Sequence, residues 1–254
     1  MNKKFQIANG FFLIFTIVFN YISNTGILNG KTIGNVSDQY HTLITPAGYA
    51  FSIWGLIYLL MFGFVMYTAR SLFKAGNHEG DRFVEQIEWW FVVSCIANCV
   101  WIVAWLYGYT GFSVLILVIC LVALLKILLV ALQYHQSTAQ KWFINIPFQI
   151  YTGWISIALI AAAASWIKKI GWNGWEISEV SWTLILIVIA SLIHLYMTWK
   201  KNAPVFAFVA VWALVAIAVS NHEENHSVYI TALTAAAVLF ISSSVHHFKR
   251  RLQA

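Results

Sequence analysis

TPAGYAFSIWGLIYLLMFG, residues Thr45 to Gly63, joins a helix start to an apolar span and a ladder of aromatic side chains. Pro46 suits the first turn of a helix, where its missing N–H costs nothing. Behind it, Ala50, Trp54, Tyr58 and Met61 recur at helical spacing on one face. Trp and Tyr combine a large apolar area with a polar tip, which suits a half-polar ligand or a tight helix contact. No charge occurs from Pro46 to Thr68, a length that crosses a bilayer as a helix.

The rest of the chain has the same character. Of its 254 residues 61% are hydrophobic and 9% are charged, against about 25% charged in a soluble domain. The chain lacks the polar surface of a soluble protein and reads as an integral, multi-pass membrane protein. Its formal charge of +6 therefore marks loop orientation rather than a nucleic-acid partner. Cys95, Cys99 and Cys120 all lie within apolar spans and read as small buried hydrophobes, not as a disulfide or metal site.

Eight apolar spans follow one another, at about 6–23, 46–68, 86–107, 112–133, 143–167, 181–199, 204–220 and 227–247. The first has no small-x-small cleavage site after Asn20 and is taken as a retained membrane helix. Basic residues set the orientation. With the N-terminus in the cytoplasm, eleven fall inside: Lys3, Lys4, Arg70, Lys74, Arg82, Lys141, Lys200, Lys201, Lys249, Arg250 and Arg251. Only three, Lys31, Lys168 and Lys169, fall outside. Both termini are thus expected in the cytoplasm of what reads as a bacterial cell. Two connections are long. Ala69 to Glu85, inside, mixes both signs of charge and reads as a solvated link. Asn24 to Thr45, outside, is polar and carries Gly26, Gly30 and Gly34, and reads as a lid.

Two further helices carry polar and aromatic stripes. Ser94, Asn98, Trp101, Trp105 and Gly108 share a face of the third span, and an Asn there should turn to the bundle interior. The fifth span has Tyr151, Trp154, Ala158, Ala161 and Ser165 on one face and Asn145, Gln149, Thr152 and Ser156 on another, so neighbours should enclose it. The residues alone support an aromatic pocket walled by Trp54, Tyr58, Asn98, Trp101 and Trp154, apolar with few polar groups.

Three stretches carry a family resemblance. Pro46 with Tyr49-Ala50-Phe51, Ile53-Trp54 and Ile57-Tyr58-Leu59-Leu60 resembles the second-helix signature of the TspO/MBR family, the tryptophan-rich sensory proteins. Ala97-Asn98-Cys99-Val100-Trp101 is similar to its third-helix pattern, and Trp154-Ile155-Ser156-Ile157-Ala158 followed by Trp166 to its fifth. The resemblance covers about residues 6–167 and implies a five-helix bundle, to which 181–247 add three helices within a single membrane domain, 1–254. The family's usual fifth-helix Asn is Ala162 here, and its proline four residues before the helix-5 Trp is Ile150, with Pro147 one turn earlier. By resemblance, the ligand is tetrapyrrole- or sterol-like, porphyrin or haem included, and the role sensory or transport-linked. No cofactor is fixed by the residues themselves. The partners left open are the lipid bilayer, a small hydrophobic ligand and a second copy in a homodimer; nucleic acid is not among them.

Other chemistries find less support. His222-Glu223-Glu224-Asn225-His226 satisfies H-E-x-x-H, but zinc chemistry needs both His on one face of a stable helix, a third ligand and a general base. The five residues fall on a short turn, and His41, on the long outer loop, is a possible third ligand that nothing in the sequence places there. Ser191, His194 and Thr198 form a modest polar face on the sixth span. No Asp or Glu lies deep in a span, which argues against an ion-coupled pump. A membrane enzyme would need convergent titratable groups, and the sequence offers none. The alternative to a ligand-binding protein is a small-solute permease, favoured by eight helices, although no internal repeat is visible.

Overall fold

A computed structural model describes residues 3–73, 79–134 and 137–251, and helix is the regular structure throughout them. In chain order the helices are α1 (Lys4–Ser23), α2 (Ile33–Gln39), α3 (Ile53–Thr68), α4 (Glu79–Ile87), α5 (Trp90–Leu106), α6 (Thr110–Gln133), α7 (Thr138–Lys169), α8 (Glu179–Lys200), α9 (Pro204–Asn221) and α10 (His226–Arg251). Seven of the helical stretches are long and apolar enough to cross a membrane, and α4 with α5 makes an eighth if that bent pair is one span.

The bend is 63°. Its cause is local: Glu88, between α4 and α5, has φ 46, a left-handed conformation that a side chain adopts at a cost and that stops the helix. The third expected span, near 86–107, is thus interrupted at Glu88, and its straight part, α5, begins at Trp90. A second boundary also moves. Pro46 precedes the helix; a 3-10 turn, Gly48–Ser52, leads into α3 at Ile53.

The chain folds as two compact units. One comprises the chain up to Val36 with Ile53–Ile155; the other comprises Ser37–Ser52 with the chain from Ser156 onward. We call them unit 1 and unit 2.

In unit 1, α1 has its polarity reversed relative to a soluble helix. Gln6, Asn9, Thr16, Asn20 and Ser23 are buried, while Ile7, Phe11, Ile14 and Val18 are exposed. Such a helix suits a lipid surround, where polar groups find partners only in the protein. Phe64 of α3 meets Phe83, Phe91 and Phe148 edge-on, with centroids 5.9, 5.2 and 4.9 Å apart. Those four rings form the core at the end of α3 opposite Trp54. A π-turn, Lys141–Asn145, opens α7 and presents Phe143 to α3. Phe143 stacks on Tyr67 at 5.4 Å, and a Cβ at Gly63 would lie 3.3 Å from its ring.

The connection from 69 to 85 is not a solvated link. Its second part is the amphipathic helix α4, which buries Asp81, Phe83, Val84 and Ile87 and exposes Arg82 and Glu85. Lys74 lies outside the described residues.

In unit 2, local chemistry fixes the helix starts. Ser178 Oγ accepts the Ser181 N–H at 3.1 Å and caps α8, and Pro204 opens α9, where its missing donor does no harm. The segment Ser37–Ser52 is strapped to the helices of this unit. Asn221 Nδ2 donates to Leu43 O at 2.8 Å, the Leu43 N–H to Glu179 Oε1 at 3.1 Å, the Ala47 N–H to Ala216 O at 3.0 Å, and Trp212 Nε1 to Ala50 O at 3.2 Å.

Candidate functional site

The site is built around Trp54, the second residue of α3. Its ring stacks on Tyr58 at 5.6 Å, one turn further along the same helix, as the spacing of four requires. On its other contacts it stacks on Trp101 of α5 at 5.9 Å and meets Tyr151 and Trp154 of α7 edge-on at 6.0 and 6.4 Å. Trp101 in turn stacks on Trp105 at 6.4 Å. The interplanar angles of 22°, 28° and 25° make Tyr58, Trp54, Trp101 and Trp105 one ladder of nearly parallel rings.

Asn98 lies one turn before Trp101 on α5 and is 1% exposed. Its Oδ1 accepts from Asn20 Nδ2 of α1 at 2.9 Å, and Asn20 Nδ2 also donates to Thr16 O at 3.0 Å. Asn98 is the polar neighbour of the Tyr58 hydroxyl, although the two stop short of hydrogen-bond geometry. The five residues expected to wall a pocket, Trp54, Tyr58, Asn98, Trp101 and Trp154, are therefore neighbours within unit 1. Asn20 and Tyr151 join them. Neither stands out as a wall residue in the sequence: Asn20 is one of several polar residues in the first span, with Gln6, Asn9 and Thr16, and Tyr151 looks like one more interfacial aromatic.

The polar atoms of this cluster share a property. Trp54 Nε1, Tyr58 Oη, Asn98 Nδ2 and Trp101 Nε1 are all buried and none has a hydrogen-bond partner. Asn98 Oδ1 accepts from Asn20, and the Tyr58 oxygen, which can accept as well as donate, receives no bond. Buried donors without acceptors are rare, because each forgoes its bonds to water. An arrangement of four suits an acceptor oxygen brought in by another molecule.

The segment expected to act as a lid is more structured than a glycine-rich flap. Its first half, which belongs to unit 1, docks on the end of α5. Asn29 Nδ2 donates to Leu106 O, the Tyr107 hydroxyl to Leu28 O at 2.9 Å, and Trp105 Nε1 to Ile33 O at 3.2 Å. The last rung of the ladder is thus pinned to the start of α2. Gly26 and Gly30, with φ 81 and 75, make the turns that fold the chain back to this point.

The H-E-x-x-H residues do not share a helix. α9 ends at Asn221 and α10 begins at His226, so the motif straddles the turn between them. His222 and His226 both lie against the Tyr229 ring, at 5.1 and 6.2 Å, while Glu224 faces His41 at 3.9 Å. Among the described residues, no three His, Cys, Asp or Glu side chains converge as metal ligands. His194 is a packed side chain: its Nδ1 faces Ala190 O at 2.7 Å and its ring lies 4.6 Å from Phe206.

No curated protein and no solved structure matches the chain. The sequence model of a family described as TSPO-like protein matches residues 6–245. That span includes the three C-terminal helices as well as the stretches that carry the resemblance. With nearly the whole chain matched and its membrane-length helices in place, the protein belongs to the TSPO-like protein family.

Proposed function

We infer that this membrane protein binds a small, flat, largely apolar molecule at the Trp54 cluster, and that the ligand presents hydrogen-bond acceptors to it. The observation that carries the reading is the set of four unpartnered donors on one aromatic ladder. Parallel rings offer π-faces to a planar molecule. The donors discriminate in favour of carbonyl or carboxylate oxygens, because a site built to hydrogen-bond a group disfavours analogues that lack it. A tetrapyrrole with carboxylate side chains, such as a porphyrin or haem, meets both demands; a sterol-like molecule meets the first in part. The sensory or transport-linked role in this proposal rests on the resemblance to the tryptophan-rich sensory proteins. The decisive measurement is titration of the purified protein with protoporphyrin and with haem, followed by absorbance and Trp fluorescence. Saturable quenching is expected; its absence with both ligands sinks the reading.

Both termini lie on the cytoplasmic side in this proposal, on the strength of the eleven-to-three division of basic residues. Lys31 and Arg82 are both exposed, so each serves as a reporter. In a bacterial host, with the native cysteines replaced, Lys31→Cys should react with an impermeant thiol reagent in intact cells and Arg82→Cys should not. The reverse pattern would invert the topology.

A further inference from the structure

Unit 2 separates its charges along its length. Glu176 and Glu179 lie where α8 begins, and Glu223 and Glu224 lie where α9 gives way to α10. Asp38, the remaining acid of the unit, belongs to the strapped segment Ser37–Ser52, whose Leu43 bonds to both Glu179 and Asn221 at that same end. The other end, where α8 and α10 finish, carries Lys200, Lys201, Lys249, Arg250 and Arg251, and no Asp or Glu follows Glu224 in the chain. Among the described residues, the ion pairs of the unit also keep to the acidic end, His41 with Glu224 at 3.9 Å and Lys168 with Glu179 at 3.7 Å. Unit 1 is built otherwise: its α4 sets Arg82 among Glu79, Asp81, Glu85 and, just past its end, Glu88.

The two basic helix ends are held side by side. Trp199 Nε1 donates to Ser242 Oγ at 2.9 Å, Thr198 Oγ1 lies 3.1 Å from Ser243 Oγ, and Asn202 Oδ1 faces His246 Nε2 at 2.9 Å. These contacts advance together along α8 and α10, so the helices run parallel and finish at one level. Their C-termini supply about half a negative charge each, and the N-terminus of α9, at Pro204, cancels one of those halves. The helix dipoles therefore leave most of the charge of five basic residues unanswered. Lys200, Lys201 and Lys249 are all exposed. An apolar surface leads up to them. Leu192, Tyr196 and Trp199 on α8, and Ile241, Val245 and Phe248 on α10, are exposed at spacings of four and three, so each set forms one stripe. Lys200 stands four residues beyond Tyr196 and Lys249 four beyond Val245, so each stripe runs into a lysine. The Trp199–Ser242 bond joins the two stripes near their charged ends.

We propose that the paired ends of α8 and α10 bind one acidic phospholipid, its acyl chains along the two stripes and its phosphate among Lys200, Lys201 and Lys249. A molecule with apolar chains below a negative head matches this order of surfaces, and basic pockets between membrane helices hold anionic headgroups in this way. Trp199 lies at the junction, where its ring meets the chains and its N–H is already satisfied by Ser242. The site takes a lipid from whichever leaflet this end meets, and it stands whether or not the Trp54 cluster binds a tetrapyrrole.

The test is native mass spectrometry of the purified full-length protein, titrated with phosphatidylglycerol or with phosphatidylcholine of the same acyl chains. A lysine near an anionic lipid surface is worth a factor of about five in binding. Phosphatidylglycerol should therefore be retained at a concentration at least about tenfold lower than phosphatidylcholine. The triple change Lys200→Gln, Lys201→Gln and Lys249→Gln alters only exposed side chains, so circular dichroism should match the wild type while the preference disappears. The pair Lys168→Gln and Lys169→Gln removes charge at the opposite end and should leave the preference in place. Inorganic phosphate at the same concentration as the lipid should not displace it. Equal retention of the two lipids would overturn the proposal, as would a preference that survives the triple change or is lost equally with the pair. Displacement by phosphate would overturn it too, since the lysines would then read charge without the chains.

Discussion

Both units bury polar side chains among apolar helices, and they complete them in different ways. In unit 2 the buried groups are paired. Thr198 Oγ1 lies 3.1 Å from Ser243 Oγ, His246 Nε2 faces Asn202 Oδ1 at 2.9 Å, and His194 is held by Ala190 O. Asn221 binds two carbonyls through Nδ2, and only its Oδ1 lacks a partner. In unit 1, by contrast, Gln6, Asn9, Trp54, Tyr58, Asn98, Thr152 and Trp101 all keep a buried polar atom without a partner. The difference separates two uses of polarity in a membrane bundle. Paired groups fix helix register. Open groups cost stability unless something completes them, and those of the Trp54 cluster gather where a ligand can do so.

The largest test of that contrast is Trp54→Ala. It removes the ring that touches four others and opens a cavity, so it should cost about 3–5 kcal/mol of stability. Porphyrin affinity should fall by more than about thirtyfold, the loss expected of a central anchor. Trp54→Phe sharpens the point, because it keeps a ring and removes the donor. Its affinity should fall by about tenfold, near the value of one hydrogen bond to a buried acceptor. If Trp54→Phe binds like the wild type, stacking alone holds the ligand and the open donors are incidental.

Asn98→Leu should come next. It removes the acceptor for Asn20 Nδ2, which retains Thr16 O, together with one open donor. Intramembrane polar contacts of this kind measure about 0.6–2 kcal/mol, so the expected cost is roughly 1 kcal/mol in stability with a severalfold loss of porphyrin affinity. A variant with unchanged stability and unchanged affinity would show that Asn98 neither packs nor binds.

The matching change in unit 2 is His194→Leu. It breaks the contact to Ala190 O and alters packing on Phe206, and should lower stability by about 1 kcal/mol. Porphyrin binding should not move. A loss of affinity here as large as that of Asn98→Leu would erase the distinction between the units, since a paired group would then matter to binding as much as an open one.

Much of this arrangement is legible in the sequence, for identifiable reasons. The aromatic ladder follows from helical spacing: Trp54 and Tyr58 differ by four residues, as do Trp101 and Trp105, and each pair does stack. The bundle-facing role of Asn98 follows from the cost of an amide in lipid. What escapes are features that depend on a partner in a distant part of the chain. Asn20 looks like a tolerated polar residue near the end of a span until Asn98 is opposite it. Asp81 looks solvated because its neighbours Arg82 and Glu85 are, and only the docking of α4 through Gly80 buries it. The start of α3 is also misjudged: Pro46 fits the rule for a first helical turn, yet Ala47 N–H is spent on Ala216 O, and helical structure begins only at Gly48.

The smallest expected effect tests the segment docked on the end of α5. Three hydrogen bonds hold it there, and they differ in exposure. Trp105 Nε1 is buried against Ile33 O, while Tyr107 is half exposed and reaches Leu28 O from the rim. Tyr107→Phe removes only the rim bond and leaves the ring in place. A single hydrogen bond contributes about 0.5–1.5 kcal/mol, so the segment should open about two- to tenfold more readily. If a bound porphyrin leaves past this segment, its release rate should rise by that factor while the equilibrium fold, read by circular dichroism, stays the same. Shortening the chain between Gly26 and Gly34 strains all three bonds and should speed release further. Release that is insensitive to both changes would mean the ligand leaves by another route, and that these bonds serve only to fix the end of α5.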